Sequence, residues 1–266
     1  MSPWVRGLFV TCALILGAPP AHAENGGAIR LQSDDEADAC IADLDCMRRL
    51  FLEATVGTQQ ATQERLLKWT DPMRVTIFGG HNLKDEVHAR TSQLLQQANL
   101  LGKAAGVDIG PSGPEDVVNF LVLVSGDFDG DRNGAFAELF ETVFAGRPEL
   151  YDELAAGDGP VCSHRGFVEG KTRIGGGVLM AQVQPDREAF DRCVLRAMLE
   201  SLGLRYPLGA TTDSLLNPKT ARAAWTSIDF LLLRMLYDPS MRPGMSRDEI
   251  AAAFPKAYQA LTQPAG

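Results

Sequence analysis

The hydrophobic pattern of the first half of the chain changes period several times. Apolar residues recur every three or four positions in 41–67 and again in 81–101, which predicts two amphipathic helices. Between them, 74–79 alternates apolar and polar residues, which predicts a short strand. Residues 117–124 are apolar at nearly every position, a pattern typical of a central strand that is covered on both faces.

A hairpin and a helix follow in the second half. Residues 162–183 predict a β-hairpin, with the glycines at 175–177 at its tip or at a bulge. Asp186 is well placed to cap a helix at its N-terminus, and Gly203 to end that helix in a left-handed conformation. The helix between them carries one apolar face.

Two more helices are predicted near the end of the chain. Thr226 and Asp229 form a capping box before 228–237, which is apolar nearly all round and therefore buried. Ser246 and Glu249 form a second capping box. Strands and helices share one chain without an internal repeat or a linker. We therefore expect a single α+β domain with a mixed sheet packed against helices.

The N-terminal residues have the features of a secretory signal peptide. Arg6 precedes an apolar run at 7–17, and Ala21 and Ala23 form a small-residue cleavage signal. That run is shorter than the roughly 20 residues of a membrane span, and no later run is long enough to be one. The predicted organisation is a signal peptide at 1–23, a flexible leader at 24–38 and a folded domain at 39–266.

The cysteines that remain after this cleavage favour disulfides. They are even in number, as is typical of exported proteins, and four cysteines allow three pairings. Of these, we favour Cys40 with Cys46 and Cys162 with Cys193. This use of cysteine, with the signal peptide, predicts a periplasmic or secreted protein.

The net charge of the chain indicates which kinds of partner it can bind. The formal net charge is −9, and no Lys/Arg stripe of the kind that binds phosphate is present. We therefore expect no nucleic-acid partner.

The helix that ends at Gly203 has the spacing of a metzincin zinc site without its ligands. When that glycine is aligned with the glycine of HExxHxxGxxH, Arg196, Ala197 and Glu200 occupy the positions of His, Glu and His, and Tyr206 that of the third His. A catalytic zinc needs three protein ligands, and arginine is not one. We expect no zinc there and no catalytic residue: an ion pair of Arg196 with Glu200 fills the old metal position. The alternative is an altered substrate site with Glu200 as the base.

The histidines do not restore a metal site. His81 and His88 are about 10 Å apart along a helix, too far to bind one ion. His164 shares a strand face with Cys162, and the two would pair as ligands only if the cysteine were reduced. We therefore expect these histidines to be structural or on the surface.

An acidic stretch after the predicted central strand resembles a calcium loop. Two registers are imperfect, because Arg132 replaces the glycine in one and Phe140 replaces the distal glutamate in the other. The simpler interpretation is a solvated turn that caps a helix at 136–144. If calcium binds, it is a structural ion, and its ligands come from Asp127, Asp129, Asp131, Asn133 and Glu138.

Three stretches of the sequence, 68–75, 193–204 and 233–239 with 242–245, resemble a family of exported bacterial proteins known only as a domain of unknown function. Some members are described as lipoproteins. In addition, Asp229 and the pair Leu236 and Tyr237 resemble a segment that follows the metal helix in metzincins. These resemblances imply a periplasmic or surface location and a zincin-like fold with a degenerate metal helix, but no established activity.

The sequence thus predicts a zincin-like pseudoenzyme of the cell envelope that binds a peptide, an envelope polymer or a protein, without a cofactor. Two other hypotheses stay open. One is an unconventional hydrolase that uses Glu200 and Tyr206. The other is an interaction module stabilised by calcium at the acidic loop.

Overall fold

A computed structural model describes residues 31, 34–58, 64–81, 83–139, 148–155, 162–170 and 172–262. The predicted signal peptide and most of the predicted leader lie outside this range. The described helices are α1 (Asp35–Ala42), α2 (Leu44–Val56), α3 (Asp85–Ala105), α4 (Phe128–Arg132), α5 (Pro148–Ala155), α6 (Arg187–Ser201), α7 (Ser227–Leu236) and α8 (Arg247–Thr262). The described strands are β1 (Lys68–Trp69), β2 (Met73–Gly79), β3 (Ile109–Pro111), β4 (Phe120–Ser125), β5 (Cys162–Glu169) and β6 (Arg173–Gln182).

The strands form one mixed sheet. β2 pairs in parallel with β3 and β4, and β4 pairs in parallel with β6. β1 runs parallel to the start of β6, while β5 runs antiparallel to β6 as the predicted hairpin. The register of that hairpin shifts between Phe167 and Val168, which leaves Gly175 opposite the shift as a bulge. The chain is therefore a single α/β domain whose largely parallel sheet carries one antiparallel strand.

Helices and loops bury both faces of the sheet. On β4, Phe120, Val122 and Val124 belong to the larger core, whereas Leu123 belongs to a smaller one with Phe128 and other residues. This arrangement agrees with the prediction of a central strand that is apolar on both faces. The strand begins later than predicted, because residues 117–119 precede it and Val117 is 61% exposed.

The first predicted helix is wrong in its extent. Instead of one helix over 41–67, the structure has α1 and α2, and 64–67 is not helical. Asp43 separates the two helices, since its backbone is extended and its carboxylate accepts hydrogen bonds from the first amides of α2. Gly57, with φ of 73°, ends α2. In addition, α1 crosses the boundary predicted at residue 38.

The strand β1 contacts the ends of α6 and α7, and we call this region the β1 junction. It comprises Lys68, Trp69, Ser201–Gly203 and Leu236–Tyr237. The indole of Trp69 donates a hydrogen bond to the carbonyl of Ser201 at 2.9 Å. The Tyr237 hydroxyl donates to the carbonyl of Leu202 at 2.9 Å and accepts from the Trp69 amide at 3.3 Å. Burial raises the pKa of Tyr237 above its ordinary range. Three segments that are distant in sequence are therefore joined by hydrogen bonds that are buried or half-buried.

Gly203 makes the close approach at this junction possible. Its φ is +112°, in the left-handed region predicted for the end of α6. A Cβ at this position would lie 2.4 Å from the carbonyl oxygen of Leu67 and 3.1 Å from a methyl carbon of Leu236. The amide of Leu66 donates a hydrogen bond to the carbonyl of Met245, and the carbonyl of Leu66 accepts one from the amide of Gly244. Segments from all three stretches that resemble the family thus meet around β1.

The helix predicted at 228–237 is present as α7, with its capping box. Asp229 is fully buried, and its carboxylate accepts hydrogen bonds from Ser214, Leu215 and Thr226. Burial raises its pKa to about 6 although these hydrogen bonds act in the opposite direction. The carboxyl group ties the start of α7 to the loop before it. Arg234, further along, lies over the ring of Phe230.

Two disulfides cross-link the domain, with the pairing that the sequence favours. Cys40 bonds to Cys46 and joins α1 to α2, while Cys162 bonds to Cys193 and joins β5 to α6. None of the described helices is both long and apolar enough to cross a membrane.

Candidate functional site

The outward face of α6 is the candidate site. Asp186 caps this helix by accepting a hydrogen bond from the amide of Glu188 at 3.0 Å. Most side chains from Phe190 to Leu199 are buried against the sheet and the neighbouring helices. The half-buried positions in this part of α6 and its last turn form a stripe of Arg192, Cys193, Arg196 and Glu200.

The carboxylate of Glu200 is held from two sides. Its Oε1 accepts a hydrogen bond from Nε of Arg196 at 3.0 Å, and its Oε2 lies 3.1 Å from Nδ1 of His164 in β5. The side chain of Glu200 is only 14% exposed. We call Glu200, Arg196 and His164 the Glu200 cluster. Arg196 and Glu200 are the two helix positions that the sequence comparison aligns with the histidines of HExxH, whereas His164 comes from the strand β5.

The pKa of Glu200 is set by opposing effects. Burial acts to raise this pKa, because it disfavours the charged carboxylate. The hydrogen bond and charge of His164, together with those of Arg196, outweigh burial and leave the pKa below its usual range. The carboxylate is therefore ionised at neutral pH and serves as a fixed acceptor for both partners.

The disulfide positions His164 over the helix. Cys162 and His164 are two residues apart in β5 and therefore point to the same face of the strand. The bond from Cys162 to Cys193 holds this face against α6, with the two Cα atoms 5.5 Å apart. The cysteine is oxidised, so the pairing of His164 with Cys162 as metal ligands does not arise.

The sequence predicted the ion pair of Arg196 with Glu200 but not the role of His164. A signal for it was present: the favoured disulfide together with the two-residue period of a strand places His164 next to α6. Ala197 is buried in the core. Tyr206 interacts with Glu64 and Arg205, and no hydrogen bond or ion pair joins it to Glu200. The hypothesis that Tyr206 acts together with Glu200 is therefore not supported by the geometry.

Metal binding at the Glu200 cluster is disfavoured by its chemistry. Arg196 cannot be a ligand, and it occupies one carboxylate oxygen while His164 faces the other. Within the part of the chain that the structure describes, no group of three or more His, Cys, Asp or Glu side chains could hold a metal ion.

The acidic stretch is partly folded into a short helix, α4. Asp127 caps this helix through the amide of Gly130, and Asp131 is buried and accepts hydrogen bonds from Ser125 and from the amide of His81. Internal donors thus bind the Asp131 carboxylate, while the other candidate ligands, Asp127, Asp129, Asn133 and Glu138, are exposed. Calcium binding stays a prediction. The helix predicted at 136–144 lies mostly outside the described residues.

Two cavities flank the first half of α6. One of about 650 Å³ lies between Glu188 and the loop around Arg222, and one of about 380 Å³ lies between Phe190 and α3. The buried ion pair of Arg90 with Asp191 contributes one side chain to each cavity. Neither cavity is lined by the Glu200 cluster, which lies further along the helix.

Fold and site together define a single-domain α/β protein in which a helix beside the last strand carries an ion-paired carboxylate. A family model described as "Protein of unknown function (DUF2927)" matches residues 46–256, and the chain belongs to this family. The predicted membership in a family of unknown function is thereby confirmed. No curated protein and no solved structure matches the chain.

Proposed function

We propose that this chain is an exported, zincin-like binding protein without peptidase activity, and that its ligand is an extended polypeptide segment. The observation that carries the proposal is the Glu200 cluster. At the helix positions where a zinc peptidase places its metal ligands, this chain has a largely buried carboxylate that is already paired with Arg196 and His164.

The order of strands and helices supports the zincin-like interpretation. Three neighbouring parallel strands are followed in sequence by the antiparallel β5, by β6 and by α6. This resembles the order in zincin-like peptidases, where the last strand leads into the metal helix. Here a disulfide joins β5 directly to that helix.

The strand β5 is the surface that we propose for the ligand. Among the described residues, β6 is the only strand that pairs with β5. Phe167 and Val168, near the end of β5, are 36% and 46% exposed. A strand at the edge of the described sheet can offer backbone hydrogen bonds to an extended peptide, and neighbouring side chains supply apolar contact. An extended polypeptide therefore fits this surface better than a compact ligand.

Export is supported by the cysteine chemistry and by the predicted signal peptide. The structure contains two disulfides, which form and persist in oxidising compartments. A periplasmic or secreted location follows as part of the proposal.

The proposal predicts binding of unfolded polypeptide without cleavage. We expect the full chain, expressed for export, to raise the fluorescence anisotropy of fluorescein-labelled casein and to leave the casein intact on a gel. Val168→Lys should weaken binding about tenfold, because a charged lysine on a strand edge opposes pairing.

Val117 provides the matched control. It is also an exposed valine, but it lies outside the sheet. Val117→Lys should therefore leave casein binding unchanged. Equal loss of binding in both variants would rule out β5 as the binding surface, and casein cleavage by the unaltered protein would rule out a purely binding role.

A second candidate function is a hydrolase that needs no metal. It is favoured by the contact of Nδ1 of His164 with Glu200, because a carboxylate at this nitrogen orients a histidine that acts as a base through Nε2. In this hypothesis His164 takes the place of Tyr206 as the partner of Glu200. Such an enzyme would cleave the labelled casein in the presence of a chelator, and His164→Gln would abolish that cleavage.

A further inference from the structure

Arg196 is held in a way that leaves its terminal nitrogens available. Its Nε donates to Glu200, and in the described part of the chain neither terminal nitrogen makes a hydrogen bond. The side chain is 33% exposed. A guanidinium has two edges that can bind a carboxylate, one formed by Nε with one terminal nitrogen and one formed by the two terminal nitrogens. Glu200 contacts the first edge through Nε and leaves the second open.

The contacts of Glu200 fix the position of Arg196. The carboxylate that binds it is itself held by His164, and His164 is two residues from a disulfide to the same helix. A guanidinium that is oriented in advance loses less side-chain entropy when it binds a ligand. The cluster therefore presents an oriented fork of N–H donors at the surface.

The surrounding charges favour an anion at this fork. Arg192, one helical turn before Arg196, donates to the backbone carbonyls of Ala221 and Arg222 and has no carboxylate partner among the described residues. Glu188, one turn earlier still, is exposed beside the larger cavity and lies outside this stripe. Between Arg192 and Glu200 the stripe thus carries two guanidinium groups and one carboxylate, in a chain whose net charge is −9.

We propose that Arg196 binds a carboxylate group of the polypeptide ligand. The group is either the free C-terminus of the ligand or the side chain of an Asp or Glu in it. This inference rests on the proposed function, and it assigns to Arg196 the charged position that a metal ion would otherwise supply at this helix. Glu200 and His164 act as positioning residues that orient the guanidinium.

Acetate is the simplest probe of this site. We expect acetate to shift the NMR resonances of the Arg196 side chain in the unaltered protein, and we expect acetamide, which has the same shape but no charge, to leave them unchanged. In Arg196→Gln and Arg196→Lys the acetate-induced shifts of neighbouring backbone amides should disappear, because glutamine removes the charge and lysine removes the fork. Arg187→Gln is the matched control and should retain them, because Arg187 is an exposed arginine at the start of the same helix and lies outside the stripe.

Three peptides distinguish the sources of the carboxylate. They are a penta-alanine with a free C-terminus, the same peptide with a C-terminal amide, and an amidated peptide with an internal aspartate. If the peptide with a free C-terminus binds at least about tenfold tighter than its amide, the site recognises C-termini. If the amidated peptide with an aspartate binds tighter than the amidated penta-alanine by the same factor, the site recognises acidic side chains.

Equal affinity for all three peptides, or acetate shifts that persist in both Arg196 variants, would overturn the inference. Casein binding would then still stand as the test of the proposed function. Conversely, if acetate binds Arg196 and the unaltered protein does not bind casein, the proposed function fails and the carboxylate site remains.

Discussion

Replacing Gly203 by alanine is expected to lower the free energy of unfolding by about 4 kcal/mol. The φ of +112° costs an L-residue about 1–2 kcal/mol. The new methyl group would also lie 2.4 Å from the carbonyl oxygen of Leu67, and forcing an atom into a packed site typically costs about 1–3 kcal/mol. Because this site joins β1 to α6 and α7, the strain falls on the β1 junction. Urea unfolding followed by circular dichroism measures the change.

Gly106→Ala is the matched control for this prediction. Gly106 also ends a helix with a positive φ, of 91°, but a Cβ there would have no heavy atom within 4 Å. It should cost only the backbone term, about 1–2 kcal/mol. A loss of stability that is equal in the two variants would contradict the close approach at Gly203.

Removing the disulfide between Cys162 and Cys193 is expected to cost about 3.5 kcal/mol. Its cysteines are 31 residues apart, and a closed loop of that length removes a corresponding amount of entropy from the unfolded chain. We expect Cys162→Ser with Cys193→Ser to show this loss in urea unfolding. The side chain of His164 should also lose its fixed environment, which its NMR resonances would report.

The second disulfide is the control for loop length. Cys40 and Cys46 are only six residues apart, so the corresponding double serine variant should lose about 2 kcal/mol. It should leave the resonances of His164 unchanged, since that bond joins α1 and α2 instead. A larger loss from the short loop than from the long one would contradict the expectation.

Features that depend on local chemistry could be predicted from the sequence. Asp186 and Gly203 mark the two ends of α6, and Thr226 with Asp229 marks the start of α7, because caps depend on residues within a few positions. The hairpin of β5 and β6 is set by a period of two and a nearby bulge at Gly175.

Features that depend on tertiary contact could not be predicted so well. The break between α1 and α2 is a local exception: Asp43 caps α2, but the apolar residues on both sides continue the helical period and hide the cap. Tyr206 follows Gly203 at the metzincin spacing, yet the chain after the helix carries it to Glu64 and Arg205. The contact of His164 with Glu200 joins a strand to a helix 36 positions away, and the favoured disulfide was the only indication that the two lie close together.

Metal content is the measurement that tests the central claim most directly. The protein should be purified from an oxidising compartment without chelators or metal-affinity steps and analysed by mass spectrometry, alongside Glu200→Ala. Calcium at a fixed ratio per chain would assign an ion to the acidic loop. It would not change the claim that α6 binds no zinc. We expect that the protein does not contain zinc at a fixed ratio per chain. We also expect that added zinc does not start casein cleavage. One zinc per chain that is lost in Glu200→Ala would contradict the first of these expectations.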